Sequence, residues 1–410
     1  MSFTQTLLVQ FLLVVPLPFV LFAAMGSRRV VPLAVMQVLI GIALGPSLFG
    51  RLLPDLSGAI FRPDTLAPLA GLASVAVLLF SFVTGLHLDL SRLRGRASSL
   101  GVVAGSSLLV PFIAGVGCGF WIASIDDVAS AHPLTFAVAL GICTSVTAMP
   151  VLGAILREMG LLAEHVGQIA LSLAAVNDAV LWMALTLLLT TAGISSISAI
   201  RLLLLPFYFV GMFWLVRPLL ARAANRMLVN GQLKDSALAI VGGVAIASAL
   251  LTEVMGIEFI LGAFVAGAVM PPVLRKPTLD RLESVTMTLL MPFFFTLTGL
   301  KTFIDLSATS FLEIFLLSTL VAVASKVLGT ALAARWVGEP WPVAVGLGAL
   351  MQTKGLMEVV ILTIFRSAGL ISGEIFSALI LMSLVCTALT MPLTTIALGR
   401  RALVKRVGAG

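Results

Sequence analysis

The feature that most constrains this chain is a succession of apolar stretches that fills nearly all of its 410 residues. A helix needs about 20 apolar residues to cross a bilayer, and fewer where it is broken inside the protein. The longest polar gap, residues 49–65, is too short to hold a domain. The sequence therefore predicts an all-α membrane protein with about 13 transmembrane helices. They are expected at residues 5–23, 30–48, 66–86, 98–122, 134–156, 163–192, 199–216, 236–252, 257–271, 285–300, 309–333, 341–366 and 372–398.

The composition agrees with a chain that lies in lipid. Hydrophobic residues make up 60% of the chain and charged residues 10%, whereas a soluble domain carries about 25% charged residues. No basic residue precedes the first stretch, which indicates a retained span rather than a cleaved signal peptide. Residues 1–410 are expected to form a single transmembrane unit, surrounded by membrane lipid, with no soluble regulatory domain. Three cysteines without paired spacing indicate neither a disulfide nor a metal site, and no cofactor is indicated.

Basic residues are distributed unevenly between the two sets of loops that alternate along these spans. Of the 25 lysines and arginines, 18 lie in one set, 5 in the other and 2 within spans. Cytoplasmic loops carry the excess of basic residues. The set of loops with 18 basic residues is therefore predicted to be cytoplasmic. This places the protein in the plasma (inner) membrane with its N-terminus outside and its C-terminus in the cytoplasm. This bias accounts for most of the net charge of +7, which does not then indicate nucleic-acid binding.

Two charged residues lie deep within apolar spans, where each costs about 2.5–3.5 kcal/mol to insert. Asp178 is at the middle of span 163–192 and follows Asn177, whose amide offers an uncharged oxygen ligand. Lys326 is at the middle of span 309–333, and Asp178 is its expected partner. A purely structural ion pair is the alternative, but well-packed apolar residues usually stabilise an interior as well or better. The pattern favours Asp178 as a carboxylate that holds either a proton or a cation.

A short sequence repeat links two distant parts of the chain. Residues 157–161 read REMGL and residues 366–370 read RSAGL, and each copy follows one long span and precedes another. The copies fall on opposite sides of the membrane in the predicted topology, which makes the repeat inverted. Inverted repeats are typical of secondary transporters, whose binding site lies near the midplane where the two halves meet.

The span before the first copy carries polar residues that indicate a discontinuous helix. In span 134–156, the hydroxyl groups of Thr144, Ser145 and Thr147 precede Pro150. Proline removes a backbone hydrogen bond and leaves carbonyl groups upstream without their helical partners. Half-helix ends at the bilayer centre supply oxygen ligands, and their dipoles act on ions.

The span before the second copy is interrupted in a similar place. In span 341–366, the polar residues Gln352, Thr353 and Lys354 come directly before a glycine and divide two apolar segments. Polar breaks at the bilayer centre persist only where they line a cavity or are buried in protein. Lys354 is suited to neutralise the carbonyl-rich end of a half-helix, and Glu358 to pair with Lys354. A simple kink is the alternative for either span, but breaks in both copies of a repeat favour discontinuous helices.

Taken in this order, the motifs resemble the second branch of the monovalent cation:proton antiporters. The resemblance covers nearly the whole chain. Within this branch, the motifs are most similar to those of plant cation/proton exchangers and bacterial potassium-efflux or sodium–proton antiporters. Besides the central Asn-Asp pair and the central lysine, it rests on TSVTAMPVLGAILREMGLL at 144–162, GAFVAGAVMP at 262–271, MPFFFTLTGL at 291–300 and MQTKGLMEVVIL at 351–362.

The resemblance implies a homodimer in which each subunit has a dimerisation subdomain and a mobile core subdomain, interleaved in sequence. It implies that the discontinuous helices at 134–156 and 341–366 cross in the core. It further implies exchange of Na⁺ or K⁺ for H⁺ by alternating access. The site residues that it implies are Asp178 as the carrier carboxylate, Asn177 beside it, Thr147 and Ser145 as hydroxyl or backbone ligands, and Lys326 as the core lysine.

One departure from the family pattern bears on stoichiometry. Electrogenic members have two adjacent aspartates, whereas the first of these positions is Asn177 here. A single carrier carboxylate predicts electroneutral exchange. The alternative function is a sodium-coupled symporter or a channel-like cation conductance on the same broken-helix fold. An enzyme is not indicated, because no cluster of His, Asp or Cys suits catalysis within a span.

Overall fold

The computed structural model describes residues 2–24, 32–88, 97–191, 203–229, 231–256, 259–302 and 310–399, and these residues are almost entirely helical. The helices are α1 (Phe3–Val14), α2 (Pro16–Ala24), α3 (Leu33–Leu44), α4 (Phe49–Leu52), α5 (Pro54–Ile60), α6 (Pro63–His87), α7 (Ala97–Ala123), α8 (Asp127–Ala131), α9 (Pro133–Ser145), α10 (Met149–Glu158), α11 (His165–Thr191), α12 (Leu205–Val210), α13 (Arg217–Met227), α14 (Asp235–Val254), α15 (Phe259–Ala268), α16 (Pro272–Val285), α17 (Met291–Lys301), α18 (Phe311–Trp336), α19 (Trp341–Met351), α20 (Leu356–Ser367) and α21 (Gly373–Leu398). Two π-helical segments, Gly211–Val216 and Thr286–Leu290, join α12 to α13 and α16 to α17.

The predicted membrane spans correspond to helices of suitable length. Among the described residues, 11 helical segments are long and apolar enough to cross a membrane. Two shorter apolar helices, Phe259–Ala268 and Trp341–Met351, fall within the predicted spans 257–271 and 341–366. The prediction of a helical membrane protein is therefore confirmed, while the count of 13 stays a prediction.

Several residues on which the topology prediction depends lie outside the described part of the chain. They include the first residues of spans 30–48, 199–216, 257–271 and 309–333, and both chain ends. Some of the loop arginines that set the orientation are also outside it, namely Arg28, Arg29, Arg92, Arg94 and Arg96.

The described residues depart from the all-α prediction in one short hairpin. Strand β1 (Leu228–Val229) pairs antiparallel with β2 (Gln232–Leu233), with Leu228 opposite Leu233. The hairpin lies in the connection from α13 to α14. Gly231 has a φ of +78°, a left-handed conformation that glycine adopts without steric cost.

The helices pack in two groups that meet at the half-helices. In the first group, α7, α9, α11, α18, α19 and α21 pack against one another. In the second group, α3, α6, α14, α15 and α17 do so. Helices α10 and α20 lie between the groups, because α10 contacts α6, α3 and α11, and α20 contacts α17, α9 and α21. The second half of each discontinuous helix is therefore positioned at the boundary between the two groups.

Glycine spacing predicts close helix contacts at Gly41/Gly45 and Gly101/Gly105, since small residues four apart let helices approach. The first pair behaves this way, because a Cβ added to Gly41 of α3 would lie 2.1 Å from a backbone oxygen of α17. The contact is reciprocal, because a Cβ added to Gly299 of α17 would lie 2.0 Å from a backbone oxygen of α3. The prediction is wrong for Gly101 and Gly105, which have no described atom within 4 Å of an added Cβ. The spacing permits an approach but does not supply a partner.

Candidate functional site

The two discontinuous helices break at the predicted places and cross there. Helix α9 ends at Ser145 and α10 begins at Met149, while α19 ends at Met351 and α20 begins at Leu356. The N–H of Ala148 donates to the carbonyl of Thr353 at 2.9 Å. The hydroxyl of Thr147 donates to the carbonyl of Met351 at 2.6 Å. Each unwound segment therefore satisfies backbone groups that the other leaves without helical partners.

Threonines of α21 support the second break. The hydroxyl of Thr387 accepts from the N–H of Lys354 at 3.1 Å and donates to the carbonyl of the same residue at 2.7 Å. The hydroxyl of Thr390 lies 3.3 Å from that of Thr353. Buried backbone polar groups must be paired, and side chains of a neighbouring helix here take the place of the missing helical turn.

Two lysines bind the end of the half-helix α9. Lys354 Nζ donates to the carbonyls of Cys143 and Thr144 at 2.6 and 3.3 Å. Lys326 Nζ donates to the carbonyl of Ser145 at 2.5 Å and to that of Ser107 at 2.8 Å. The last carbonyls of a helix carry a partial negative charge, which cations stabilise. Both lysine side chains are fully buried, so two amino groups converge on this end of α9 inside the protein.

The Asn177–Asp178 pair of α11 is next to this cluster. Both side chains are 1% exposed. Asn177 Nδ2 donates to the hydroxyl of Ser107 at 3.0 Å, and the carbonyl of Ser107 accepts from Lys326. Asp178 is the negative group whose charge acts on Lys326. The structure thus links Asn177, Ser107, Lys326 and Ser145 by hydrogen bonds, and Asp178 follows Asn177 on α11 within range of the charge of Lys326.

Ser107 of α7 is a site residue that sequence reasoning missed. It contacts Asn177 through its side chain and Lys326 through its carbonyl. Its hydroxyl also donates to the carbonyl of Ala104 at 2.9 Å. The signal in the sequence is a pair of adjacent serines in an otherwise apolar span, which also occurs in helices where serine bonds only its own backbone.

The remaining predicted residues differ in what they offer to an ion. The hydroxyl of Ser145 donates to the carbonyl of Ile142 within α9, so the contact of Ser145 with the cluster is made by its carbonyl. Gln352 is 1% exposed, and neither atom of its amide has a hydrogen-bond partner among the described residues. Its oxygen is therefore available as a ligand.

A second buried acid pairs with Lys354, as expected from the sequence. Glu358 in the first turn of α20 is fully buried, and its carboxylate lies 3.5 Å from Lys354 Nζ. The crossing therefore holds two buried acids, Asp178 and Glu358, and two buried lysines, Lys326 and Lys354.

A cavity of about 480 Å³ reaches the crossing from one end of the bundle. Ala148 and Pro150 line it at the crossing, and Phe259 and Lys301, at the first position of α15 and the last of α17, line its outer part. Its lining is largely apolar and includes three hydroxyl groups, those of Ser74, Thr298 and Thr363.

The opposite end of the bundle is joined by polar contacts instead. Glu283 and Lys301 belong to one helical segment of 30 residues, Pro272–Lys301, and the 18 positions between them correspond to about 27 Å of helix. Arg157 Nε, at the end of α10, donates to Glu283 Oε1 at 2.9 Å. A carboxylate oxygen of Glu158 accepts from the N–H of Leu33 at the start of α3, at 3.0 Å. The end of α10 is thus bonded to α16 and α3, and none of these four residues lines the cavity.

The two copies of the sequence repeat end their half-helices in the same way. Gly160 follows α10 with a φ of +68°, and Gly369 follows α20 with a φ of +71°. The residue after each glycine donates its N–H to the carbonyl five positions earlier, at 2.7 and 2.9 Å. This is the Schellman motif, in which glycine takes the left-handed position. The repeat therefore has a common local structure, and its inversion across a membrane stays a prediction.

Comparison with known proteins identifies similar sequences. The chain matches the family model described as sodium/hydrogen exchanger, transmembrane, over residues 11–400. It is 35% identical over 372 residues to cation/H(+) antiporter 19 of Arabidopsis thaliana, which covers 88% of this chain and 46% of that protein. It is 30% identical over 379 residues to the Na(+)/H(+) antiporter NhaS4 of Synechocystis, which covers 91% of this chain and 92% of that protein. The K(+)/H(+) antiporter 1 of Saccharomyces cerevisiae is 30% identical over 381 residues, 88% of this chain and 43% of the yeast protein. The chain thus spans less than half the length of the plant and yeast relatives.

The fold is also similar to that of a solved structure. The sodium proton antiporter MjNhaP1 from Methanocaldococcus jannaschii superposes with a TM-score of 0.62 over 97% of this chain and 99% of that one. The two sequences are 15% identical, so the likeness is one of fold.

Proposed function

We propose, from the premise that this chain belongs to the sodium/hydrogen exchanger family, that it exchanges a monovalent cation, Na⁺ or K⁺, for protons across a membrane. The observation that carries the proposal is the buried carboxylate of Asp178, in the middle of α11 and next to the end of a half-helix. Three relatives are named as cation/proton antiporters, which supports a transporter rather than an enzyme.

In the proposed cycle, Asp178 binds a proton and a cation in turn. A buried carboxylate is strongly favoured to hold a partner of opposite charge, and a proton and a cation compete for the same oxygens. Asn177 is fixed by Ser107 and adds no charge of its own. Thr147 and the unpartnered amide of Gln352 are the further oxygen groups that we assign to the ion path.

Access to the site alternates between the two ends of the bundle in this proposal. The cavity reaches the crossing from the end at Phe259 and Lys301, while Arg157 and Glu158 bond the end of α10 to α16 and α3 at the other end. We assign the first group as the mobile core and the second as the dimerisation subdomain. Movement of one group relative to the other opens one end as it closes the other.

We place the protein in the plasma (inner) membrane as a homodimer, with the N-terminus outside. The support for this orientation is the excess of basic residues in one set of loops. In that orientation the cavity opens to the outside, because Phe259 and Lys301 flank the loops that are poor in basic residues. The family resemblance supports the dimer.

The test is an assay in sealed proteoliposomes that contain a pH-sensitive dye. Addition of Na⁺ or K⁺ outside an acid-loaded vesicle is expected to drive protons out at a rate that saturates with the cation. Lithium and choline serve as comparisons for selectivity and for ionic strength. Uptake of the cation with protons moving in the same direction would indicate a symporter. Cation flux without proton movement would indicate a conductance, and either outcome would overturn the proposal.

A further inference from the structure

The exchange proposed above uses one buried acid, yet the crossing holds two. Glu358 is 0% exposed, so both of its carboxylate oxygens are removed from solvent. The charged group next to it is Lys354, at 3.5 Å, and Ser383 of α21 is a further polar neighbour. Burial of a carboxylate is unfavourable unless it is paired, and apolar residues would fill the space at lower cost. Its presence calls for a specific role.

The position of Lys354 suggests what that role is. Lys354 and Lys326 bind successive carbonyls at the end of α9, those of Cys143 and Thr144 for the first and that of Ser145 for the second. Their charges act on each other, and the charge of Asp178 acts on Lys326. The ammonium of Lys354 is therefore close enough to influence a cation held by Asp178, and it would repel that cation.

We propose that Glu358 is a positioning residue that holds the Lys354 ammonium on the end of α9 and cancels its charge at the cation site. Lys354 then neutralises the carbonyl end of the half-helix without opposing the cation. In this proposal Glu358 acts on the cation through Lys354. The inference rests on the proposed exchange, because it assigns a determinant of cation affinity in that same site.

The local geometry favours this arrangement. Glu358 is the third residue of α20, where the partial positive charge of a helix N-terminus stabilises a carboxylate. Lys354 is four positions earlier, in the unwound segment, so its side chain can reach α9 while it remains paired. The pair thus connects the N-terminal end of one half-helix to the C-terminal end of the other.

The test is a charge cycle at the two positions, with the KM for Na⁺ measured in proteoliposomes. Glu358→Gln leaves Lys354 uncompensated and is expected to raise KM about tenfold, the effect that one unit charge produces at about 12 Å with an effective dielectric constant of about 20. Lys354→Met leaves a negative charge and is expected to lower KM. The double variant removes both charges, and its KM is expected to return toward the wild-type value, whatever the change in kcat. Each single variant is compared with the double variant. If one single variant does not fold, the comparison of the other single variant with the double variant still tests the inference.

Two controls separate charge from structure. Glu358→Asp keeps the charge and is expected to keep KM close to wild type. Glu313→Gln removes an exposed acid at the same third position of another helix, α18, and is expected to leave KM unchanged. A wild-type KM in Glu358→Gln, or a double variant as impaired in KM as Glu358→Gln, would overturn the inference. Absence of exchange in the wild-type protein would instead overturn the proposed function.

Discussion

At the scale of single residues, the proposed exchange depends on the charge of Asp178, and Asp178→Asn removes that charge at nearly constant volume. An intramembrane charge costs about 2.5–3.5 kcal/mol to insert, so the variant is expected to insert and fold. Cation-driven proton flux is expected to disappear, while the elution volume in detergent stays the same. Flux at the wild-type rate in this variant would eliminate Asp178 as the carrier.

Ser107 gives a second residue-scale prediction, because its side chain and its carbonyl have different partners. Ser107→Ala removes the acceptor of the Asn177 amide but keeps the carbonyl that binds Lys326. A buried donor left without a partner costs about 1–3 kcal/mol, and Asn177 is then free to reorient beside the carrier. We expect the KM for the cation to rise about fivefold to tenfold, which corresponds to a loss of roughly 1 kcal/mol of cation-binding free energy.

The neighbouring serine is the matched control for that measurement. Ser106 donates to the carbonyl of Gly329 at 2.7 Å and has no bond to Asn177. Ser106→Ala is therefore expected to lower thermal stability without a change in KM. Equal KM values in both alanine variants and the wild type would remove Ser107 from the site.

At the scale of helices, the contact between α3 and α17 depends on glycine. A Cβ on Gly299 would lie 2.0 Å from a carbonyl oxygen of α3 and 2.9 Å from Gly41 Cα, and backbone atoms cannot move aside without a shift of a helix. Gly299→Ala is expected to lower the free energy of unfolding by about 1–3 kcal/mol. Gly101→Ala, in open space on α7, is expected to raise it by about 0.5–1 kcal/mol, because alanine favours a helix over glycine. Thermal midpoints in detergent test both, and a Gly299→Ala midpoint at or above that of Gly101→Ala would contradict the contact.

The sequence predicts elements well in this chain because the bilayer imposes a strong requirement on each one. Every predicted span has a helical counterpart, and both breaks lie where polar residues interrupt apolar ones, at residues 146–148 and 352–355. What the sequence could not predict depends on contacts between distant backbone groups. Lys326 is bonded to two carbonyls, one of them on α7, and no periodicity in the sequence identifies a carbonyl as a partner. The same reason explains why the sequence does not identify Ser107, and why the spacing of Gly101 and Gly105 predicts a contact that they do not make with any described residue.

At the scale of the whole molecule, the distribution of basic residues predicts an orientation that labelling can test. Arg62 and Arg335 are at opposite ends of the bundle in the predicted topology, and neither is buried. The native cysteines Cys118, Cys143 and Cys386 are buried, so a thiol reagent is expected to label an introduced, exposed cysteine more strongly than these three. Arg62→Cys is expected to react with a membrane-impermeant maleimide in intact cells, and Arg335→Cys only after permeabilisation. The reverse pattern would contradict the predicted orientation.

The last prediction, that exchange is electroneutral, follows from the charges gathered at the crossing. Asp178, Glu358, Lys326 and Lys354 sum to zero when all four are ionised, and Glu358 is already paired with Lys354. A proton on Asp178 and a monovalent cation on Asp178 then give the site the same net charge, provided that Lys326 keeps its proton. A membrane potential acts on net charge moved, at about 2.3 kcal/mol per charge per 100 mV. An imposed potential should therefore leave the rate unchanged, and flux should stop when the Na⁺ ratio equals the H⁺ ratio across the vesicle membrane. A stopping point that requires two protons per cation would contradict the prediction and would require a second group that carries a proton, for which Lys326, whose charge interacts with that of Asp178, is the first candidate to test.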